Sequence, residues 1–144
     1  MNYHELIQAY FERSVALQNY WTVYVVVIGG ILGFSTFRQR PEMVTTLLVT
    51  VLYAMFAYKN LGAIDHTLLE RQQIFAAIRE YPSGGANGDD VKRVRAVLEP
   101  IMPQADPSGV TYFHVACDLL TVGALWAKEW LRRKRADEVP APVT

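Results

Sequence analysis

The chain has a single cysteine, Cys117, which excludes an internal disulfide and any thiolate zinc site built by one copy. It has no GxSxG elbow, no P-loop and no HExxH pair, so the common nucleophile, phosphate-cradle and zinc-protease patterns are missing. The stretch Ser83-Gly84-Gly85-Ala86-Asn87-Gly88 is rich in glycine but lacks the Lys and Ser/Thr of a phosphate cradle, and it reads as a linker. Asp65-His66 with Glu70, and His114 with Asp118, place acids and imidazoles at helical spacing without matching a metal motif. An enzyme is therefore not expected, and neither a metal nor another cofactor is called for. No short basic segment precedes the first apolar run and no small-residue cleavage site follows it. That run is expected to be retained and not removed as a signal peptide.

Charge is also missing, over two long stretches. None falls between Ser14 and Phe37, or between Met43 and Tyr58. The apolar runs Tyr20 to Phe37 and Met43 to Tyr58 are separated only by Arg38-Gln39-Arg40-Pro41-Glu42. A hydrocarbon core of about 30 Å needs roughly 20 helical residues at 1.5 Å each. Flanking Gln18 and Asn19, interfacial Tyr20 and Trp21, and a snorkelling Lys59 make up the shortfall. The pattern predicts a transmembrane helical hairpin over 20–60.

Before the hairpin, Tyr3, Leu6, Ile7, Tyr10 and Leu17 mark one face of an amphipathic helix over 1–19. After it, Leu61, Ile64, Leu68, Phe75 and Ile78 continue the helical period, so one helix is expected from Met43 to about Glu80. Tyr81-Pro82 and the glycine-rich linker stop it. A short helix capped by Asp89 or Asp90 follows, through Leu98, and then an extended connector carrying Pro100, Pro103 and Pro107. The last helix, about Ser108 to Arg135, is apolar over Val110 to Ala127 but contains His114 and Asp118. A mid-span Asp costs about 2.5–3.5 kcal/mol on insertion scales.

The 14 basic and 14 acidic residues cancel to a net charge of zero, yet they are segregated. With two spans, every Lys and Arg except Arg38 and Arg40 lies on one side, which the positive-inside rule makes the cytoplasm. With three spans no such asymmetry exists. The expected architecture is thus all-α: an integral membrane hairpin with both termini cytoplasmic, a cytoplasmic helical bundle over 61–135, and a disordered tail over 136–144. Residues 110–131 as a third span is the alternative, and it would make His114 and Asp118 gate or proton-path residues.

Gly29 and Gly33 form a GxxxG pair that lets helices pack closely, within one chain or between copies. Two basic clusters, Lys92, Arg93 and Arg95 and then Arg132, Arg133, Lys134 and Arg135, are candidates for phosphate or anionic lipid.

The leading amphipathic helix, the short-looped hairpin of Tyr20 to Phe37 and Met43 to Tyr58, and the helical extension together resemble the SLATT-type bacterial anti-phage membrane effectors, Hailong-like effectors among them. The likeness covers residues 1 to 80 in architecture and carries over no residue by position. It implies a homo-oligomeric pore or membrane-disrupting effector in the bacterial inner membrane. It also implies a nucleotidyltransferase partner whose nucleotide or oligonucleotide product acts through the cytoplasmic helices. The competing expectation is a non-conducting membrane anchor that recruits a soluble partner through the helices from Leu61 to Glu80 and Val110 to Trp130.

Overall fold

The computed structural model describes residues 2–84, 88–102 and 106–138. Gly85-Ala86-Asn87 of the expected linker, Pro103 of the expected connector and residues 139–144 of the expected tail lie outside them. The described residues are 91% helical and contain no strand. The elements are α1 (Tyr3–Phe37), α2 (Met43–Glu80), α3 (Gly88–Leu98), a 3-10 turn (Glu99–Ile101) and α4 (Pro107–Glu138). Helices α1, α2 and α4 are each long and apolar enough to cross a membrane.

Asn2 and Glu5 start α1 with a reciprocal cap. The Asn2 side-chain oxygen accepts from the Glu5 N–H, and the Asn2 N–H donates to the Glu5 carboxylate, each at 2.8 Å. No breaker interrupts the run from there to Phe37, so the amphipathic segment and the first apolar run are one helix. The turn 38–42, which contains Pro41, separates α1 from α2. Helix α4 runs to Glu138, three residues into the expected tail.

The chain divides into two compact units. The first comprises Met1–Tyr20 and Gly62–Val110. Its core is Leu6, Tyr10, Phe75, Ile78 and Met102, with Tyr3, Ile74, Tyr81 and Leu98 packed around it. Arg95 closes the end of α2 by donating to the carbonyls of Ile78 and Tyr81 at 3.1 and 2.6 Å. The expected extended connector instead contains the 3-10 turn, which brings Met102 into the core. Gly88 opens α3 where a Cβ would collide with the Ser83 carbonyl oxygen, so only glycine fits. Asp106 caps α4: its carboxylate accepts from the Ser108 hydroxyl at 2.7 Å and from the backbone N–H groups of Ser108 and Gly109 at 3.1 and 3.3 Å. Pro107 then occupies the first helical position, where its missing N–H costs nothing.

The second unit comprises Trp21–Leu61 and Thr111–Thr144. The charge count placed residues 61–135 in one bundle. The structure instead divides that segment near Val110 and packs α4 from Thr111 onward against the hairpin. The physical reason is that His114 and Asp118, which argued against placing α4 there, find hydrogen-bonding partners on the hairpin helices.

Two outcomes check this account. Replacing Gly88 with Ala forces the Ser83–Gly88 backbone apart and should lower unfolding stability by about 1–3 kcal/mol, measured by denaturation in detergent. The Ser108 hydroxyl, followed by the Ser108 and Gly109 amides, holds the Asp106 carboxyl below its ordinary 3.8. A depressed carboxylate contributes stability above its unfolded pKa and loses it as pH falls through the folded value. The stability advantage of the wild type over Asp106→Ala should therefore shrink as the pH is taken below 3.8. An advantage that is constant with pH would rule out the charged cap.

Candidate functional site

Two polar clusters lie within the second unit, and α4 supplies the acid of each. The first is built on His114 and Asp118, one helical turn apart on the same face. The hydroxyls of Tyr24 on α1 and Tyr53 on α2 both donate to Asp118 Oδ1, at 2.8 and 2.7 Å. His114 Nδ1 is 2.9 Å from Asp118 Oδ2, and its Nε2 is 3.3 Å from Asn60 Nδ2. A neutral imidazole with the proton on Nδ1 satisfies every partner: Nδ1–H donates to the carboxylate and Nε2 accepts from the Asn60 amide.

Ring packing fixes that orientation. The Tyr24 and His114 rings are 4.0 Å apart at 30°, and Trp21 meets Tyr24 edge-on. His114 is fully buried, whereas the Asp118 side chain keeps 22% of its surface. Two phenols, an imidazole and a carboxylate thus form one connected hydrogen-bonded set. Each hydrogen bond to the charged carboxylate contributes about 1.5–3 kcal/mol.

The second cluster surrounds Glu129, whose side chain is 2% exposed. Its Oε2 accepts from Arg38 at 2.8 Å, Arg132 at 3.0 Å and the Thr46 hydroxyl at 3.1 Å. Its Oε1 accepts from the Glu42 backbone N–H at 2.8 Å, with Arg133 at 3.4 Å. That amide is the start of α2, where a free N–H needs a partner and the helix dipole favours an anion. The carboxylate therefore caps α2 and neutralises the hairpin turn at once. Arg132 adds hydrogen bonds to the carbonyls of Ser35 and Arg38, at 2.7 and 3.4 Å, at the end of α1.

The candidate residues are distributed unevenly over these features. His114 and Asp118 are brought together, and Arg132 and Arg133 join the Glu129 cluster. Lys134 lies over the Trp130 ring at 5.9 Å, and Arg135 is exposed. In the first unit Arg95 is committed to the α2 carbonyls, Lys92 pairs with Asp89 at 3.4 Å and Arg93 is exposed. Gly29 is exposed and Gly33 partly so, and no atom lies within 4 Å of a Cβ built on either. Sequence reading passed over Tyr24, Tyr53, Asn60 and Glu129. A tyrosine in the middle of an apolar run, away from the interface where that residue usually sits, is the one local signal that Tyr24 and Tyr53 offered.

Among the described residues, no group of three or more His, Cys, Asp or Glu is placed to hold a metal ion. No known protein family, curated protein or solved structure matches the chain.

Removing the buried charge of Glu129 strands Arg38 and Arg132 beside it. Glu129→Ala should cost about 3–5 kcal/mol of unfolding stability in detergent, against almost nothing for the exposed Glu12→Ala. Equal stability of the two variants would refute the role given to this carboxylate.

Proposed function

We propose that the protein acts within the bilayer as a homo-oligomeric, gated pore former, with the Asp118–His114 cluster as its polar gate. The observation that carries the reading is the position of Asp118: an ionisable carboxylate midway along an apolar helix, held by Tyr24, Tyr53 and His114. Such a group is expensive in a membrane, and intramembrane acids typically mark ion or proton paths.

The distribution of side chains supports a site of action inside lipid. Tyr24, Tyr53, His114 and Thr121 are buried, whereas Val25, Val26, Leu48, Met55, Leu119 and Leu120 are exposed. A soluble bundle would have the opposite pattern. Tyr24, Tyr53 and Leu125 fill the interior of the unit, so a conduit requires several copies. The exposed face at Gly29, Gly30 and Gly33 allows close approach by a helix of a second copy.

With α4 as a third span, the two termini lie on opposite sides of the membrane. We propose this arrangement in place of the one with both termini cytoplasmic. The SLATT-type resemblance points to the same functional class, and it adds the bacterial inner membrane and a nucleotide-derived trigger to the proposal.

Planar-bilayer recording of the purified chain should show conductance. Asp118→Asn, which removes the charge but keeps the shape, should change it by about tenfold or more, because one charge-assisted hydrogen bond is worth at least that factor. Gly29→Leu with Gly33→Leu should reduce the oligomer seen by crosslinking. In a Cys117→Ala background, cysteines placed at Ser108 and Asp137 should label from opposite sides. An absence of conductance with every nucleotide tested and without any, together with copurification of a soluble protein, would replace this reading with the membrane anchor.

A further inference from the structure

A cleft of about 630 Å³ lies where α1 ends, the turn 38–42 begins and the last turns of α4 pass. Five cationic side chains line it: Arg38, Arg40, Lys128, Arg132 and Arg135. Among the described residues, no acidic side chain and no aromatic ring lines it. Counting the adjacent Glu129 carboxylate still leaves an excess of four positive charges.

These cations are not equivalent. Arg38 and Arg132 are held by Glu129, and Lys128 donates to the Thr36 hydroxyl. The guanidinium groups of Arg40 and Arg135 are exposed and have no protein partner among the described residues. Two buried polar atoms of lining residues, Ser35 Oγ and Arg132 Nε, are likewise without one. Ser35 is 3% exposed, so its hydroxyl is shielded from bulk water. Free guanidinium forks and unpaired buried donors lining one cleft match the needs of phosphate oxygens.

Placement decides between the possible sources of that phosphate. The cleft lies at the end of the apolar runs, beside Phe34 and Phe37, which are 50% and 86% exposed, and its own lining includes the exposed Leu131. Exposed Trp130 lies one residue before it on α4. Cations at this level, next to uncovered apolar surface, fit a headgroup whose acyl chains run along the helices. Within the cleft lining itself a nucleotide base would meet only aliphatic and polar side chains, with no ring to stack on. We propose that this cleft is a specific site for the headgroup of an anionic phospholipid carrying two phosphate charges, of the diphosphatidylglycerol type. The proposal rests on the membrane location of the chain and is independent of whether it conducts.

Full-length protein in nanodiscs of phosphatidylcholine, doped with diphosphatidylglycerol or with phosphatidylglycerol at equal total charge, provides the test. Lipid retention is read by native mass spectrometry. Diphosphatidylglycerol should be retained preferentially by the wild type. Arg40→Ala with Arg135→Ala should weaken retention about 30-fold, since each basic side chain near the surface contributes about 1 kcal/mol. Neither guanidinium group has a partner among the described residues, so the double variant should unfold at the wild-type temperature. Lys134→Ala, which removes a charge outside the cleft, should retain the lipid as the wild type does.

Three results would overturn the site: equal retention of the two anionic lipids, an equal loss in Lys134→Ala, or displacement of the lipid by inorganic pyrophosphate at matched ionic strength. The membrane reading fails separately, and takes the site with it, if the chain remains soluble without detergent and does not float with phosphatidylcholine vesicles.

Discussion

A carboxylate withdrawn from water must be surrounded by donors, and in this protein that requirement organises the second unit. Glu129 satisfies it with the Arg38 and Arg132 guanidinium groups, the Thr46 hydroxyl and the Glu42 amide. Those groups come from the end of α1, the hairpin turn, the start of α2 and α4 itself. Register follows from this, because α4 cannot slide along the hairpin without separating Glu129 from a helix N-terminus and stranding two cations. The same register brings Asp118, eleven residues earlier, level with Tyr24 and Tyr53.

The two clusters solve the same problem in different ways. Around Glu129 the partners are charged, so the carboxylate is matched and fixed. Around Asp118 they are neutral hydroxyls and an imidazole, which stabilise an anion without cancelling it. The Glu129 side chain is closed off by its partners at 2% exposure, whereas the Asp118 side chain keeps 22% of its surface. The division separates a charge-matched clamp from a carboxylate held by neutral donors, and both are carried by one helix.

Much of the architecture was legible in local pattern. The two apolar runs and the period continuing past Tyr58 define α1 and α2, whose observed limits at Phe37, Met43 and Glu80 are those the breakers predict. The amphipathic face with Leu6 and Tyr10 on it indeed forms core. What escaped depends on pairing across the chain. Glu129 was hidden beside the run Arg132 to Arg135, which reads as solvated or lipid-facing charge until the 83 to 91 residues separating Glu129 from Thr46, Glu42 and Arg38 are closed by folding. Asp118 was visible, but its cost in an apolar helix was counted without the tyrosines that donate to it. The charge asymmetry that favoured two spans treated Arg38 as a free cation, although in the fold it is half of an ion pair.

That pairing also sets an order of events. A chain is synthesised from its N-terminus, so Arg38 is made 91 residues before the carboxylate that neutralises it. Tyr24 and Tyr53 likewise precede their acceptor, by 94 and 65 residues. The nascent hairpin is therefore a receptor awaiting its ligand, with donors exposed and a charge uncompensated, and α4 is the part that completes it. Biogenesis of this protein amounts to an intramolecular binding reaction, in which the last helix arrives carrying both acids that the first two were built to receive.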